Sequence, residues 1–235
     1  MKMTSTLNSP WKRQRRLKKE HIPHQEQIIQ LAKSYWDNKE RALFILSYLT
    51  GGRVSEIVQL KYLRKVTYKR VLSKTKEGND IYKVARNGNG SPIAEKVDKV
   101  EINYLGIIRQ DVWVTEKKGK NILMVSMQNR KNKTYTRKSI PIPIDKEKKL
   151  IDMLFEYING LAPEDPLFPF KIWKAEKIIA KVGMNPHFLR DIRLTHLVTM
   201  YDFNAFQLTK FAGWKDVSPA ERYVRLGVTD LIDKF

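Results

Sequence analysis

The sequence predicts an α+β domain that is mainly helical and carries one small antiparallel sheet. Three observations predict it. Apolar residues recur at three- and four-residue spacing up to Gly51 and again beyond Asp145. Between these stretches, three short β-prone runs at 112–114, 122–127 and 138–144 are separated by turn-forming or basic residues. Of the 235 residues, 42% are apolar, enough for a sizeable core.

Residues 1–23 have no hydrophobic period and read as a basic arm, with Lys12, Arg13, Arg15, Arg16, Lys18 and Lys19 against one acid, Glu20. The spacing of Ile28, Leu31, Ala32, Tyr35 and Trp36 predicts a first helix with one apolar face. Asp37 or Asn38 caps a second, whose face is Ala42, Ile45, Leu46 and Leu49. Gly51-Gly52 ends it, and a third helix begins near Arg53, placing that side chain at a helix N-terminus. The polar, Gly-containing stretch 64–103 reads as a basic insertion with one hairpin. Within the sheet, the second hairpin holds Arg130, Lys131, Lys133, Arg137 and Lys138, with no acid from Lys117 to Lys138. Asp145 opens a helix with the stripe Leu150, Ile151, Leu154, Phe155 and Ile158. Further helices are predicted at about 171–182, 186–200, 204–212 and 219–226. The last starts with Ser218 as N-cap, Pro219 at the first helical position and Glu221 completing a capping box. A short apolar face made by Val228, Leu231, Ile232 and Phe235 predicts a terminal helix over 228–235.

Lys and Arg total 45 against 25 Asp and Glu, giving a formal charge of +20. So large an excess points to a polyanionic partner and away from acidic-surface metabolic enzymes. The absence of cysteine excludes disulfides, zinc fingers, iron–sulfur clusters and thiol nucleophiles. The four histidines show no metal-ligand grouping, so neither metal nor cofactor is expected. With no apolar run of about 18 residues and no signal peptide, the expectation is a protein without a membrane segment. It is then cytoplasmic and nucleoid-associated, or in the host cytoplasm if viral.

Three local motifs carry chemistry. Thr50-Gly51-Gly52-Arg53-Val54-Ser55-Glu56-Ile57 sets an arginine at a helix start, and His187-Phe188-Leu189-Arg190 sets a histidine and an arginine on one helical face. Gly213-Trp214 is followed nine residues after the tryptophan by Tyr223. Alone, each side chain has a commoner structural role: a surface ion pair for an arginine, packing for a tyrosine or tryptophan. In this order, with a lysine-bearing hairpin between the first two, they resemble the tyrosine recombinases of the phage integrase family. The resemblance runs from about Gln25 to Tyr223.

The resemblance implies a catalytic domain over 24–235 that cleaves and rejoins DNA at specific sites. Tyr223 is the expected nucleophile, forming a 3′-phosphotyrosyl link without metal or ATP. Arg53 and Arg190 are expected to hold the non-bridging oxygens of the pentacoordinate state, where negative charge accumulates. His187 either moves a proton to or from the tyrosine hydroxyl or stabilises the phosphorane, and Trp214 offers an indole N–H to a phosphate oxygen. Ungapped counting back from Pro141 puts the family's lysine, acid for the departing 5′ oxygen, at Lys133. A hairpin two residues longer puts it at Lys131. Arg130, Lys131, Arg137 and the arm's Lys12, Arg13, Arg15 and Arg16 are expected to contact DNA, with Lys138 a phosphate contact or a solvated charge.

Double-stranded DNA is the implied partner, with a dimer or tetramer assembled on it. Integration, excision, resolution or transposition of a mobile element is the implied role. The rival readings are a type IB topoisomerase, which shares the chemistry, and a DNA-binding protein of the same fold that does not cut. Two features depart from the family plan: the short basic arm stands where a separate helical domain is usual, and the two arginines are 137 positions apart, long for the family. The family's second motif is commonly His-x-Leu-Arg-His-Thr, and here Asp191-Ile192 follows Arg190, a departure expected to affect a flanking position only.

Overall fold

The computed structural model describes residues 22–58, 60–68, 70–74, 80–83, 96–104, 106–128 and 137–228. Residues 1–21 of the expected basic arm, the tip of the second sheet hairpin with Arg130, Lys131 and Lys133, and residues 229–235 of the expected terminal helix lie outside them, while Pro23 at the end of the expected arm is buried. The chain divides into two compact units, one within Met1–Gln59 and Leu105–Phe235, the other Leu60–Tyr104.

In the larger unit, α1 (Gln25–Lys33) and α2 (Asn38–Thr50) open the fold. The Asp37 carboxylate accepts the Glu40 N–H at 2.9 Å and caps α2. From Ala42 to Thr50 every residue of α2 is buried, because Ala-Leu-Phe-Ile-Leu-Ser-Tyr-Leu-Thr has no charged face to turn outward. Trp36 does not join the first apolar face: α1 stops at Lys33, and the indole, beyond the helical register, is fully exposed. Gly51 closes α2 at φ +53°, a left-handed conformation that an L side chain rarely adopts. The third helix, α3 (Val54–Ile57), is a single turn.

The smaller unit contains β1 (Leu60–Tyr68), β2 (Arg70–Lys74), β3 (Asp80–Lys83) and β4 (Lys96–Tyr104). Antiparallel pairing joins β1 to β4 and β2 to β3, two strand pairs where one hairpin was expected. Dense lysine and arginine in Leu-Lys-Tyr-Leu-Arg-Lys-Val-Thr-Tyr masks β1, whose Leu, Tyr, Val and Thr favour strand.

The chain then re-enters the larger unit as β5 (Val112–Lys117), β6 (Lys120–Gln128) and β7 (Arg137–Pro143), an antiparallel sheet in that order. Leu123, Val125 and Met127 on β6 stand opposite Ile142, Ile140 and Lys138 on β7. With a side-chain period of two, these six share one face. The first five are buried, so Lys138 takes the last position of the core-facing row.

Five helices complete the unit: α4 (Ile144–Ile158), α5 (Ile172–Ala180), α6 (Pro186–Thr199), α7 (Ala205–Ala212) and α8 (Ser218–Val228). The α4 stripe packs as expected, with Phe155 only partly buried. Asn185 caps α6 by accepting the Phe188 N–H at 2.8 Å, and Pro186 follows at the first helical position. Every residue from Phe188 to Val198 is buried, including Arg190, Asp191, Arg193, Thr195 and His196. A helix so charged can be central only if its charges are compensated, although Arg193 Nε and Nη2 have no hydrogen-bond partner among the described residues. Arg193 and Glu147 of α4 are both fully buried and ion-paired, Tyr201 donates to the same carboxylate, and the Tyr48 and Tyr201 rings lie 5.1 and 5.3 Å from the guanidinium carbon. The His196 ring is held at both nitrogens. Its Nε2 faces the Pro23 carbonyl at 2.9 Å and so carries the proton, while Nδ1 accepts from the Tyr48 hydroxyl at 2.7 Å. Burial pushes its pKa down to about 4, which makes it a neutral packing histidine.

Two outcomes follow for stability. Glu147→Gln should destabilise the fold by about 3–5 kcal/mol, the scale of leaving a buried charge unpaired, measured by urea unfolding. Because the folded state favours neutral His196, its contribution is complete above the ordinary histidine pKa and is lost as pH falls toward 4. Unfolding free energy measured between pH 7 and 4.5 should therefore fall less steeply in His196→Gln than in the parent chain.

Candidate active site

Arg53 precedes the single turn of α3, and its backbone N–H is taken by a Glu56 carboxylate oxygen at 3.1 Å. The other oxygen of Glu56 accepts from the Arg53 guanidinium at 3.0 Å. A one-turn helix capped in this way supplies no separate anion site, so the attraction for an anion rests on the side chain. That side chain keeps 26% of its surface open, against none for Glu56.

Arg190 rises from the buried part of α6. Its guanidinium donates to the Gly51 carbonyl through Nη1 and to the Ala212 carbonyl at 3.2 Å through Nη2. Burial first, then the nearby Arg53 charge, pull its pKa below the ordinary arginine value. Arg53, Arg190 and His187 line one cleft with Gly52, Ser55 and Pro186. His187 stands one turn before Arg190 at the exposed rim. The structure thus brings together two motifs that lie 137 positions apart.

α7 ends at Gly213 in a left-handed C-cap and delivers Trp214 beneath Arg190, with ring centroid and guanidinium carbon 5.8 Å apart. The same indole stacks on Tyr223 of α8, 5.9 Å between centroids and 16° between planes. Helix α8 begins at Ser218, one residue ahead of the expected start, and Tyr223 is 1% exposed. The Tyr223 hydroxyl donates to Asp191 Oδ1 at 2.6 Å, while Arg222 reaches both that oxygen, at 2.5 Å, and the hydroxyl. Burial, then the Asp191 charge and hydrogen bond, hold the phenol well above its ordinary pKa, and Arg222 opposes this. Asp191 is therefore no flanking residue. Side chains at positions i and i+1 of a helix point about 100° apart, so Asp191 turns toward α8 while Arg190 turns toward α2 and α7.

Lys138 is the second group the sequence undervalued. Rather than solvated, its ammonium is buried and has no hydrogen-bond partner among the described residues. It lies opposite Met127, and Met127 Cε packs so tightly on Gly52 that a Cβ there would fall 2.6 Å from it. That places Lys138 beside the Gly52–Arg53 corner. Burial lowers its pKa to about 8, with Glu56 opposing and Arg190 and Arg53 assisting. The alternation of Ile140 and Ile142 with Lys138 was the available signal. Arg137, on the other face, pairs with Asp111 and donates to Ser126 Oγ at 3.1 Å. The expected lysines Lys131 and Lys133 fall outside the described residues.

Neither a protein-family model nor a curated protein matches the chain. Among solved structures it resembles the XerA recombinase, at 15% identity and a TM-score of 0.51 over 93% of this chain and 63% of that one. It also resembles the XerH site-specific recombinase in a post-cleavage complex with a palindromic difH substrate, at 14% identity and a TM-score of 0.50 over 93% and 52% of the two chains. The chain therefore spans less than two thirds of their length. Its fold is that of the tyrosine recombinases, mainly helical with a three-stranded antiparallel sheet. Among the described residues no helix is long and apolar enough to cross a membrane.

The Lys138 ammonium should titrate near 8, well below the ordinary lysine value of about 10.4. NMR of isotopically labelled lysine side chains reads this directly. Arg53→Ala should move the value upward by removing a like charge.

Proposed function

We propose that the chain is a DNA strand transferase of the tyrosine-recombinase kind, serving a mobile element as integrase or transposase. The observation that carries this reading is the line from Arg53 and Arg190, on one cleft, through Trp214 to Tyr223. Two guanidiniums there can hold the non-bridging oxygens of a phosphodiester, and a phenol is one aromatic ring away.

In the proposed reaction the Tyr223 oxygen attacks phosphorus, the P–O5′ bond breaks, and a 3′-phosphotyrosyl link and a free 5′ hydroxyl result. Religation is the reverse. Arg53 and Arg190 stabilise the charge on the pentacoordinate phosphorus, His187 at the rim contacts a phosphate oxygen, and Lys133 or Lys131 protonates the 5′ oxygen. The net charge of +20 suits a duplex partner. Lys12, Arg13, Arg15, Arg16, Arg130 and Arg137 are proposed phosphate contacts. XerH, of the same fold, is a recombinase bound to its difH substrate, which supports DNA as the partner here. A dimer or tetramer on DNA would place two strands for exchange.

The test is covalent capture. Incubated with a randomised library of nicked duplexes in EDTA without ATP, the protein should yield adducts that survive denaturation, and sequencing them identifies the preferred duplex. Tyr223→Phe should abolish the adduct while binding persists. Arg53→Ala should lower cleavage at least about a hundredfold, the scale of losing one preorganised donor. Absence of any adduct from the parent chain would overturn the reading.

A further inference from the structure

We infer that Asp191 is the base that takes the proton from the Tyr223 hydroxyl, with Arg222 holding the two groups together. The inference rests on the strand-transfer reading above and deepens it.

The nucleophile of that reading is a phenol that is almost wholly buried, and the hydrogen-bond partners of its oxygen are Asp191 and Arg222. The proton lies on the line to Asp191 Oδ1, 2.6 Å away, within the reach required of a general base. Arg222 Nη2 bonds the same carboxylate oxygen and the phenol oxygen, so both are held at one point, and its ring contact with Tyr223 is 4.5 Å from guanidinium carbon to centroid. Held above its ordinary pKa, the phenol does not ionise ahead of attack and needs an acceptor at that moment. As negative charge passes from the carboxylate to the phenol oxygen and on to phosphorus, the Arg222 cation remains in contact with the oxygen that carries it.

The step balances. In cleavage the Tyr223 oxygen forms its bond to phosphorus, its proton moves to Asp191, the P–O5′ bond breaks, and the 5′ oxygen takes a proton from the lysine. In religation the 5′ hydroxyl gives its proton back to the lysine as it attacks. The tyrosine oxygen leaves and recovers its proton from Asp191. This frees His187, at the cleft rim beside Arg53 and Arg190, for a phosphate oxygen. It also gives a chemical use to the motif position where this chain has aspartate after Arg190 and the resembled family commonly has histidine.

The experiment measures single-turnover cleavage of the duplex recovered by adduct capture. Asp191→Asn keeps the shape and an acceptor oxygen but is no base, and cleavage should fall between about a hundredfold and ten-thousandfold, the range for general-base catalysis. Asp191→Ala leaves a gap that formate can enter, and added formate should restore its rate in proportion to concentration. Unchanged or faster cleavage in Asp191→Asn overturns the inference, and faster cleavage would show that Asp191 restrains the tyrosine. Slow cleavage in both variants with no formate rescue also overturns it, marking Asp191 as a holding contact. Failure of the parent chain to cleave any duplex counts instead against the strand-transfer reading.

Discussion

The buried guanidinium of Arg190 is the contact on which the rest of the site depends. A charge withdrawn from water needs compensating partners, and here they are main-chain carbonyls from two other elements, Gly51 at the end of α2 and Ala212 at the end of α7. Each carbonyl points the right way only because its helix stops there. The left-handed Gly51 turns the chain out of α2 and toward Arg53, and Gly213 turns it out of α7 and toward Trp214. One guanidinium thus fixes the origin of the segment that supplies the second arginine and of the segment that supplies the aromatic ring under the tyrosine.

Below it, Arg193 repeats the solution with a different partner. Its pairing with Glu147 ties α6 to α4, while His196 ties the same helix to α2 through Tyr48. Burial pulls down the pKa of Arg193, but Glu147, Tyr48 and Tyr201 more than reverse it, so the guanidinium stays charged inside the core. Such pairs add little net stability over apolar packing, yet breaking one is costly. Their effect is to fix the rotation of α6, and with it the directions of Arg190 and Asp191.

The cleft gathers like charges. Arg53 and Arg190 line it together with Glu176, both arginines act against the charge of nearby Lys138, and Glu56 opposes them. A cluster of that kind weakens the free protein and gains most when an anion fills it. The Lys138 ammonium, without a hydrogen-bond partner among the described residues, is the sharpest instance. Asp191, next to Arg190 on α6, accepts the hydrogen bond of the Tyr223 phenol, so the helix that carries the buried arginine also carries the carboxylate that holds the tyrosine.

Local information determined the helices and the three-stranded sheet, and it singled out Arg53, His187, Arg190, Trp214 and Tyr223 as motif residues. Helical and strand periodicities, caps such as Asp37 and Asn185, and terminators such as Gly51 act over a few residues and can be read in one pass. The same locality explains the failures. Trp36 kept the apolar spacing after its helix had ended, and β1 hid its strand preference under lysine and arginine. Lys138 and Asp191 were misjudged because charge in a sequence says nothing of what surrounds it. Only the tertiary structure set Lys138 in the inward row of β7 opposite Met127, and brought α8 across α6 so that Asp191 met a tyrosine 32 positions away. Burial and hydrogen bonding depend on chain segments far apart in sequence, and these decide whether a charged side chain is solvent-facing decoration or part of the chemistry.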